Sequence, residues 1–358
     1  MCAQIITDRG PGKWFCRWGG LLAWAMAVAA PAVAPVMAEE PLGPRDVAVV
    51  VNVRDADSVR TGRYFQRRRG LPAENFIRVS FDPEDPVLRP REFAAIKARL
   101  DDLTPPAVQA YALAWSSVTR VGCMSITTAV AAGYDPAFCA RGCEPTRESP
   151  LFNVRSHRPY DDFGWRPAML LPAEDFHLAR ELVERGIAAD GTFPFGGAYL
   201  LSTSDERRNV RAAEYPRAEQ LFGDLLEVQV LEQDAIRDRK DVLFYFTGSK
   251  WVRDIDSNRF LPGALADHLT SAGGRLEGGG QMSALAWIRA GATASYGTVV
   301  EPCNFPQKFP SPLVAMDRYL DGDTLVEAYW KSVAWPGQGI FIGEPLARPF
   351  SRPPDDTP

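Results

Sequence analysis

The first third of the chain alternates continuous apolar runs with amphipathic ones. DVAVVVNV (46–53), NFIRVSF (75–81) and AVQAYALAWSS (107–117) are rich in β-branched or aromatic residues, which is typical of buried strands. VRTGRYFQRRRG (59–70) and RPREFAAIKARLDDL (89–103) repeat apolar positions with helical spacing. We expect Ser58 to cap the first of these helices, and Gly70 with Pro72 to end it.

The same alternation returns after residue 170. The strand-like runs are GGAYLLSTSD, EVQVLEQ, DVLFYFTGS, GALADHLTS and ATASYGTV, and the helix-like runs are AEDFHLARELVERGI, AAEYPRAEQLFGDL, GGQMSALAWIRAG, PLVAMDRYL and TLVEAYWKSV. A strand–helix alternation of this length predicts an α/β fold, with a mostly parallel sheet and helices on both faces. QGIFIGEPLARPF (338–350) closes the predicted fold.

Residues 120–170 interrupt the rhythm. This stretch holds three cysteines, many Pro and Gly residues and little periodicity, so we interpret it as a long, irregular, Cys-rich insertion. The predicted organisation is a single α/β domain over 39–350, preceded by a leader over 1–38 and followed by a polar tail over 351–358.

The first 38 residues are typical of an export signal. Arg9, Lys13 and Arg17 precede the apolar run GGLLAWAMAVAAPAVAPVMA, which ends in Val36-Met37-Ala38 and predicts cleavage after Ala38. An uncleaved anchor is the alternative, because the run nearly reaches membrane-spanning length. We therefore expect a periplasmic or extracellular protein with no membrane span after cleavage. The net charge of −5 and the scattered basic residues argue against a nucleic-acid partner.

Four cysteines remain after the predicted cleavage: Cys123, Cys139, Cys143 and Cys303. An even number in an oxidising compartment predicts disulfides, with three pairings open. Cys139 with Cys143 could close a small loop and leave Cys123 to pair with Cys303. Four cysteines could instead bind zinc, but there is one close pair and its spacing is wide.

Candidate chemistry lies where the strands end, because sites in such sheets form beyond the carboxyl ends of the strands. The residues there are rich in hydroxyls and poor in histidine. They are Asn52, Asp55, Ser116, Ser117, Ser202–Asp205, Thr247, Gly248, Ser249, Asp267–Ser271 and Thr298–Glu301. Strand ends are also polar simply because they meet water.

GALADHLTSAGG (263–274) concentrates the most chemistry. Ser271 or Thr270 could be a nucleophile with His268 as its base and Asp267 or Glu301 in support, if a turn brings these side chains together. The backbone of SAGG could supply N–H groups to an oxyanion. Of the other histidines, His177 lies in a predicted helix and His157 in the insertion.

No metal or cofactor is predicted. The sequence has no phosphate-binding loop, dinucleotide fingerprint, zinc-protease motif or serine-hydrolase elbow. Asp254 and Asp256 alternate as calcium ligands would, and Asp267 is a third nearby acid, but the later glycine and glutamate of a calcium loop are missing. We interpret this segment as a solvated loop.

Most of the predicted mature chain resembles a family of exported bacterial proteins associated with the exosortase (PEP-CTERM) sorting system. The resemblance rests on VVVNVRDADSVRTGRYFQRRRGLP, LPGALADHLTSAGG, QMSALAWIRAGATASYGTVVEPCNFPQKFP and TLVEAYWKSVAWPGQGIFIGEPLARPF. It implies an envelope-sorting context and no particular reaction.

A more distant similarity is to gingipain-type cysteine peptidases, whose fold is caspase-like. It is carried by the order TGS, TSAGG, GATASYGTV and then GEPL. Gly248 matches the glycine of the family's His-Gly, but Thr247 stands in place of the histidine, and Ser271 or Thr270 in place of the cysteine. Two hydroxyls cannot replace a thiolate–imidazole pair.

Three functions stay open from the sequence. The first is a degenerate peptidase-like fold that binds a peptide or an envelope protein. The second is a hydrolase, of peptidase or esterase type, that uses Ser271 or Thr270 with His268. In the third, these polar groups are structural and the function lies elsewhere, for example at Asn52, Asp55 and Ser58.

Overall fold

The computed structural model describes residues 39–140, 142–172, 175–278 and 280–351. The predicted leader and most of the polar tail lie outside these residues. Within them, no helix is long and apolar enough to cross a membrane.

The predicted α/β class is confirmed. Ten strands form one sheet in the order β2-β1-β4-β7-β13-β12-β11-β10-β8-β9, and β3, β5 and β6 form a small separate sheet. The strands are β1 Val47–Asn52, β2 Phe76–Val79, β3 Val87–Leu88, β4 Ala110–Ala114, β5 Arg120–Val121, β6 Met124–Ser125, β7 Ala168–Leu170, β8 Gly197–Ser202, β9 Glu227–Glu232, β10 Val242–Gly248, β11 Phe260–Leu269, β12 Ala294–Thr298 and β13 Gly339–Gly343.

The large sheet has two parallel groups of strands. β2, β1, β4 and β7 pair in parallel, and so do β12, β11, β10, β8 and β9. β13 lies between the groups, runs antiparallel to β12 and meets β7 at Ile342 and Leu170. Ser117, which follows β4, and Val299, which follows β12, line one cleft, so both groups end at the same edge.

Helices cover both faces of this sheet. They are α1 Ala56–Arg69, α2 Pro90–Leu103, α3 Ile126–Ala132, α4 Pro159–Phe163, α5 Phe176–Ala189, α6 Tyr215–Phe222, α7 Leu285–Ala290, α8 Pro312–Leu320 and α9 Leu325–Lys331. Neighbouring residues of β10 show the two faces: Phe244 packs on Tyr319 of α8, and Tyr245 packs on Trp287 of α7. This two-sided cover explains why every residue of β1 is buried.

For α1, the sequence predicts the end of the helix correctly but not the residue that caps its beginning. Gly70 ends α1 in the left-handed conformation, as predicted. The cap at the other end is Asp55, whose carboxylate accepts from the backbone N–H groups of Asp57 and Ser58. The prediction of Ser58 as the cap was therefore wrong: Ser58 is buried in the helix, and its Oγ accepts from the backbone N–H of Asn52.

The region 120–170 is more regular than predicted. It forms β5, β6, α3 and α4, and its last residues form β7, a strand of the large sheet. Thr127 and Thr128 of α3 donate to the carbonyls of Gly339 and Pro336, which ties this region to β13.

The disulfides join different cysteines from the pair suggested first. Cys123 bonds Cys139, and Cys143 bonds Cys303. The suggested closure of Cys139 with Cys143 is therefore wrong, and so is the zinc alternative, because all four thiols are consumed. The second bond links the Cys-rich region to the segment after β12.

Candidate functional site

β11 places neighbouring side chains on opposite faces of the sheet. Asp267 and His268 are consecutive residues of this strand, so one carboxylate and one imidazole point away from each other. Asp267 pairs in register with Phe246, and His268 with Thr247. The predicted support of His268 by Asp267 is therefore not formed.

His268 is a core residue with both ring nitrogens in use. Nδ1 accepts a hydrogen bond from Trp287 Nε1 at 2.9 Å, and Nε2 lies 3.0 Å from the carbonyl oxygen of Met282. A nitrogen that accepts from an indole N–H carries no proton, so the ring is neutral and its Nε2–H donates to Met282. Burial lowers the pKa of His268 to about 4. The ring has no free lone pair with which to act as a base.

Asp267 forms a buried ion pair on the other face. Arg211 donates to Asp267 Oδ1 at 2.6 Å, and also to the carbonyl oxygens of Thr247 and Pro310. Burial raises the pKa of Asp267, although the Arg211 charge opposes this shift. Arg211 lies in a 3-10 turn over Asn209–Glu214, so the pair ties this turn to the centre of the sheet.

The turn after β11 is held by its own hydrogen bonds. The Thr270 hydroxyl donates to Gln281 Oε1 at 2.7 Å and accepts from Arg208 Nε at 3.1 Å. The backbone N–H of Ala272 also donates to Gln281, and that of Gly274 donates to the carbonyl of Thr298. Two of the N–H groups predicted for an oxyanion are thus already in use.

Ser271 keeps a half-buried hydroxyl in this turn. Across the part of the chain that the structure describes, no histidine or carboxylate forms a hydrogen bond with it. The arrangement lacks the base that a serine nucleophile needs.

The remaining predicted residues mostly hold the strand ends together. The Asn52 amide donates to the carbonyl of Phe81 and accepts from its N–H, which links β1 to the segment after β2. Gly248 fits against the Arg208 carbonyl, where an added Cβ would lie 1.9 Å away. Thr247 is buried, and its hydroxyl makes no hydrogen bond with any described residue.

Ser249 and Glu301 lie nearer the surface. Ser249 Oγ donates to the carbonyl of Trp251, and Glu301 accepts from the N–H of Cys303. The three acids of the rejected calcium loop are also separated, because Asp254 pairs with Arg237 at the surface while Asp267 is buried with Arg211. Asp254 and Asp256 are exposed, and Ile255 between them is buried in a 3-10 turn over Ile255–Ser257.

Two adjoining clefts open above the strand ends. The first has a volume of about 290 Å³, and the second about 340 Å³. Ser117, Leu276 and Glu277 line both, so together they form one groove, which we call the edge groove. The turn after β11 carries Arg275–Gly278 across to the β4 side and so forms one wall.

One end of the edge groove is basic. Arg120 and Arg275 line it with the hydroxyl residues Ser117 and Thr119. Burial and the nearby charge of Arg275 lower the pKa of Arg120. Neither guanidinium has a carboxylate of the described chain within ion-pair distance, and the one other charged residue at this end is Glu277.

The other end is acidic. Asp55, Asp57 and Glu84 line it with a single arginine, Arg54, which itself pairs with Asp82 at 3.6 Å. Glu277 lines both clefts and so lies between the two ends. The groove therefore presents opposite charges at its two ends.

Sequence reasoning found part of this groove and missed its arginines. The sequence predicts Asp55 and Ser117 as strand-end residues, but it places Arg120 in an irregular insertion and leaves Arg275 between a predicted strand and the next predicted helix. One sequence signal points to Arg275: it directly follows TSAGG (270–274), which contains the candidate nucleophiles.

No protein-family model matches the chain, and no curated protein matches it. Among solved structures, one titled "Structure of Protease" is similar, with 11% identity and a TM-score of 0.47. The alignment covers 86% of this chain and 78% of that one. A likeness at this level bears on neither activity nor substrate.

Proposed function

We propose that this is an exported protein whose edge groove binds a peptide segment, in an envelope protein-sorting context. The observation that carries the proposal is the pair of arginines, Arg120 and Arg275. They line one cleft together with Glu277, and no carboxylate of the described residues lies within ion-pair distance of either guanidinium. Two guanidiniums held close together repel each other, and an anionic ligand group relieves that repulsion.

The charges of the groove define the ligand class. An acidic side chain or a terminal carboxylate fits the Arg120 and Arg275 end. A basic side chain fits the end that holds Asp57 and Glu84. Each cleft has a volume near the lower range of small-ligand sites, about 300 Å³, which suits a few residues of an extended peptide.

The hydrolase alternative has weaker support. It needs a base beside Ser271 or Thr270, and His268 is engaged at both nitrogens on one face of β11. A serine-directed fluorophosphonate should therefore leave the folded protein unlabelled. A single adduct at Ser271 or Thr270 that is lost in His268→Ala would establish the hydrolase instead.

The binding proposal is tested with fluorescent peptides that carry one Glu and one Lys, separated by one to four Gly or Ser residues. We expect at least one spacing to bind, with Arg120→Ala and Arg275→Ala each weakening binding about tenfold, a typical loss for a charge-assisted contact. Replacing Glu by Gln in the peptide should have a similar effect. The measurement is a fluorescence-anisotropy titration at low and high salt.

Arg67→Ala is the matched control, because Arg67 is exposed in the last turn of α1, away from the groove. The proposal fails if no peptide binds, or if the Gln peptide binds as well as the Glu peptide. It also fails if Arg67→Ala weakens binding as much as the groove variants.

A further inference from the structure

A second polar cluster lies away from the edge groove. It consists of His157, Asp323, Glu327 and Lys331, which we call the histidine–carboxylate cluster. Asp323 precedes α9, and Glu327 and Lys331 follow at intervals of four, so the three share one side of the helix. His157 comes from the segment before α4. The side chains of the last three are at most 5% exposed, and that of His157 is 16% exposed.

Each carboxylate has one oxygen held by the protein and one turned inward. Lys331 Nζ holds Asp323 Oδ2 at 2.8 Å. Glu327 Oε2 accepts from the N–H groups of Thr324 and Leu42 and from the Thr324 hydroxyl. The inward atoms are Asp323 Oδ1 and Glu327 Oε1.

The inward atoms converge with the imidazole of His157. His157 Nδ1 lies 2.6 Å from Glu327 Oε1 and 3.6 Å from Asp323 Oδ1, and all three atoms fall within 4.8 Å of one another. Asp323 Oδ1 receives no hydrogen bond from a described residue, although its side chain is almost completely buried. Its nearest charged neighbour is His157 Nδ1, at 3.6 Å, so its lone pairs are available to a cation.

The charges of the cluster do not balance. Two buried carboxylates face one ammonium, so with a neutral imidazole the cluster carries one net negative charge. A buried charge of this kind is costly unless a cation compensates it. A proton on His157 would compensate it as an ion pair, whereas a divalent cation would use all three converging atoms.

We propose that His157 Nδ1, Asp323 Oδ1 and Glu327 Oε1 bind a borderline divalent cation such as Zn²⁺, with solvent completing the coordination. Imidazole and carboxylate are both zinc ligands, at about 2.0–2.2 Å. Lys331, Thr324 and the Leu42 N–H orient the two carboxylates from outside the site, as supporting donors do in metal centres. On binding, the hydrogen bond between His157 and Glu327 breaks. A doubly protonated ring then releases its Nδ1 proton to solvent, whereas a neutral ring with its proton on Nδ1 exchanges it through solvent for one on Nε2.

The site also has an entrance. His157 is its most exposed member, and the backbone N–H of His157 donates to the exposed Glu39, at the beginning of the described chain. Leu42, near the beginning of the described residues, donates its backbone N–H to Glu327 of α9. A cation bound by Glu327 would therefore reinforce the contact between these two segments.

The test is isothermal titration of the metal-free protein with Zn²⁺, followed by metal analysis after gel filtration. We expect one Zn²⁺ per chain, with binding weakened at least tenfold in His157→Gln. His177→Gln is the matched control, because His177 Nδ1 lies 3.3 Å from Glu181 but the pair is exposed on α5. The affinity of His177→Gln for Zn²⁺ should equal that of the unaltered protein.

Co²⁺ provides a second readout on the unaltered chain. Imidazole and carboxylate ligands should give visible d–d absorption at one equivalent, and Zn²⁺ should abolish it. The proposal is overturned if the unaltered protein retains no Zn²⁺ and shows no Co²⁺ bands. It is also overturned if His157→Gln binds Zn²⁺ as the unaltered protein does, or if His177→Gln loses as much affinity. None of these outcomes depends on peptide binding at the edge groove.

Discussion

At the scale of single residues, hydrogen bonding decides what a side chain can do. His268 has the residue type of a catalytic base and lies three positions before a serine, yet Trp287 and Met282 occupy both of its nitrogens. Its neutral form is the one that fits this environment, because charging the ring would put a cation into a buried, apolar surrounding.

The pH dependence of stability follows from this environment. The pKa of His268 is about 4 in the folded protein, below the ordinary 6.5 of an unfolded chain. Between these values the unfolded state binds the proton more strongly, so stability is complete above about pH 6.5 and falls as the pH drops towards 4.

We predict that His268→Gln flattens this fall while keeping most of the stability at pH 7, since an amide can both accept from Trp287 and donate to Met282. His268→Ala should lose about 3 kcal/mol at pH 7, because it leaves a cavity and two unpaired polar groups. Urea unfolding at a series of pH values measures the free energy of unfolding of both variants and its dependence on pH. An unchanged pH profile in His268→Gln would show that another group controls it.

Sequence reasoning at this scale identified residues but not their directions. Asp267, His268, Thr270 and Ser271 were rightly placed at a strand end. Whether two of them meet depends on strand alternation and on the turn that follows. That turn is held by Gln281, which lies 11 residues after Thr270 and 9 residues after Ala272. The hydrogen bonds of Gln281 with this turn leave no periodic pattern in the sequence.

At the scale of elements, the sheet edge is held by contacts between segments. The Arg211–Asp267 pair joins the 3-10 turn before α6 to β11 and, through the Thr247 carbonyl, to β10. Strands were predicted well because burial on both faces leaves a continuous apolar run. Helices with little exposed surface were predicted less well: α7 spans Leu285–Ala290, much shorter than the predicted 279–291.

We predict that Arg211→Met destabilises the protein by about 3–5 kcal/mol, because it leaves the Asp267 carboxylate buried without a counter-charge. The double variant Arg211→Met/Asp267→Leu should recover much of that loss, since it removes both charges together. Thermal and urea unfolding of the unaltered protein, the single variants Arg211→Met and Asp267→Leu, and the double variant form the test. A double variant as unstable as the sum of two single variants would contradict the account.

At the scale of the whole molecule, the sheet order and the disulfides bring distant segments together. The alternation of strands and helices predicts a mostly parallel sheet. It cannot predict that β13 lies between two parallel groups of strands, because that position depends on long-range packing. The cysteine pairing also depends on long-range packing, because the spacing of the four cysteines allows three arrangements.

The two disulfides should differ in their contribution to stability. Cys143–Cys303 spans 160 residues and Cys123–Cys139 spans 16. In the chain-entropy model, the longer link stabilises by about 5 kcal/mol and the shorter by about 3 kcal/mol. The Ser double variants, Cys143→Ser/Cys303→Ser and Cys123→Ser/Cys139→Ser, test this order by urea unfolding. Non-reducing peptide mapping checks the pairing, and a Cys139–Cys143 peptide would contradict it.

The proposed function is that the edge groove binds peptides through the charge of Arg120 and Arg275. A charge swap tests it most directly: Arg120→Glu/Arg275→Glu is titrated with the Glu-Lys peptide and with a matched peptide in which Lys replaces Glu. The account predicts that the variant loses the first peptide and gains the second, while the unaltered protein shows the opposite preference. Equal binding of both peptides by the two proteins would contradict it.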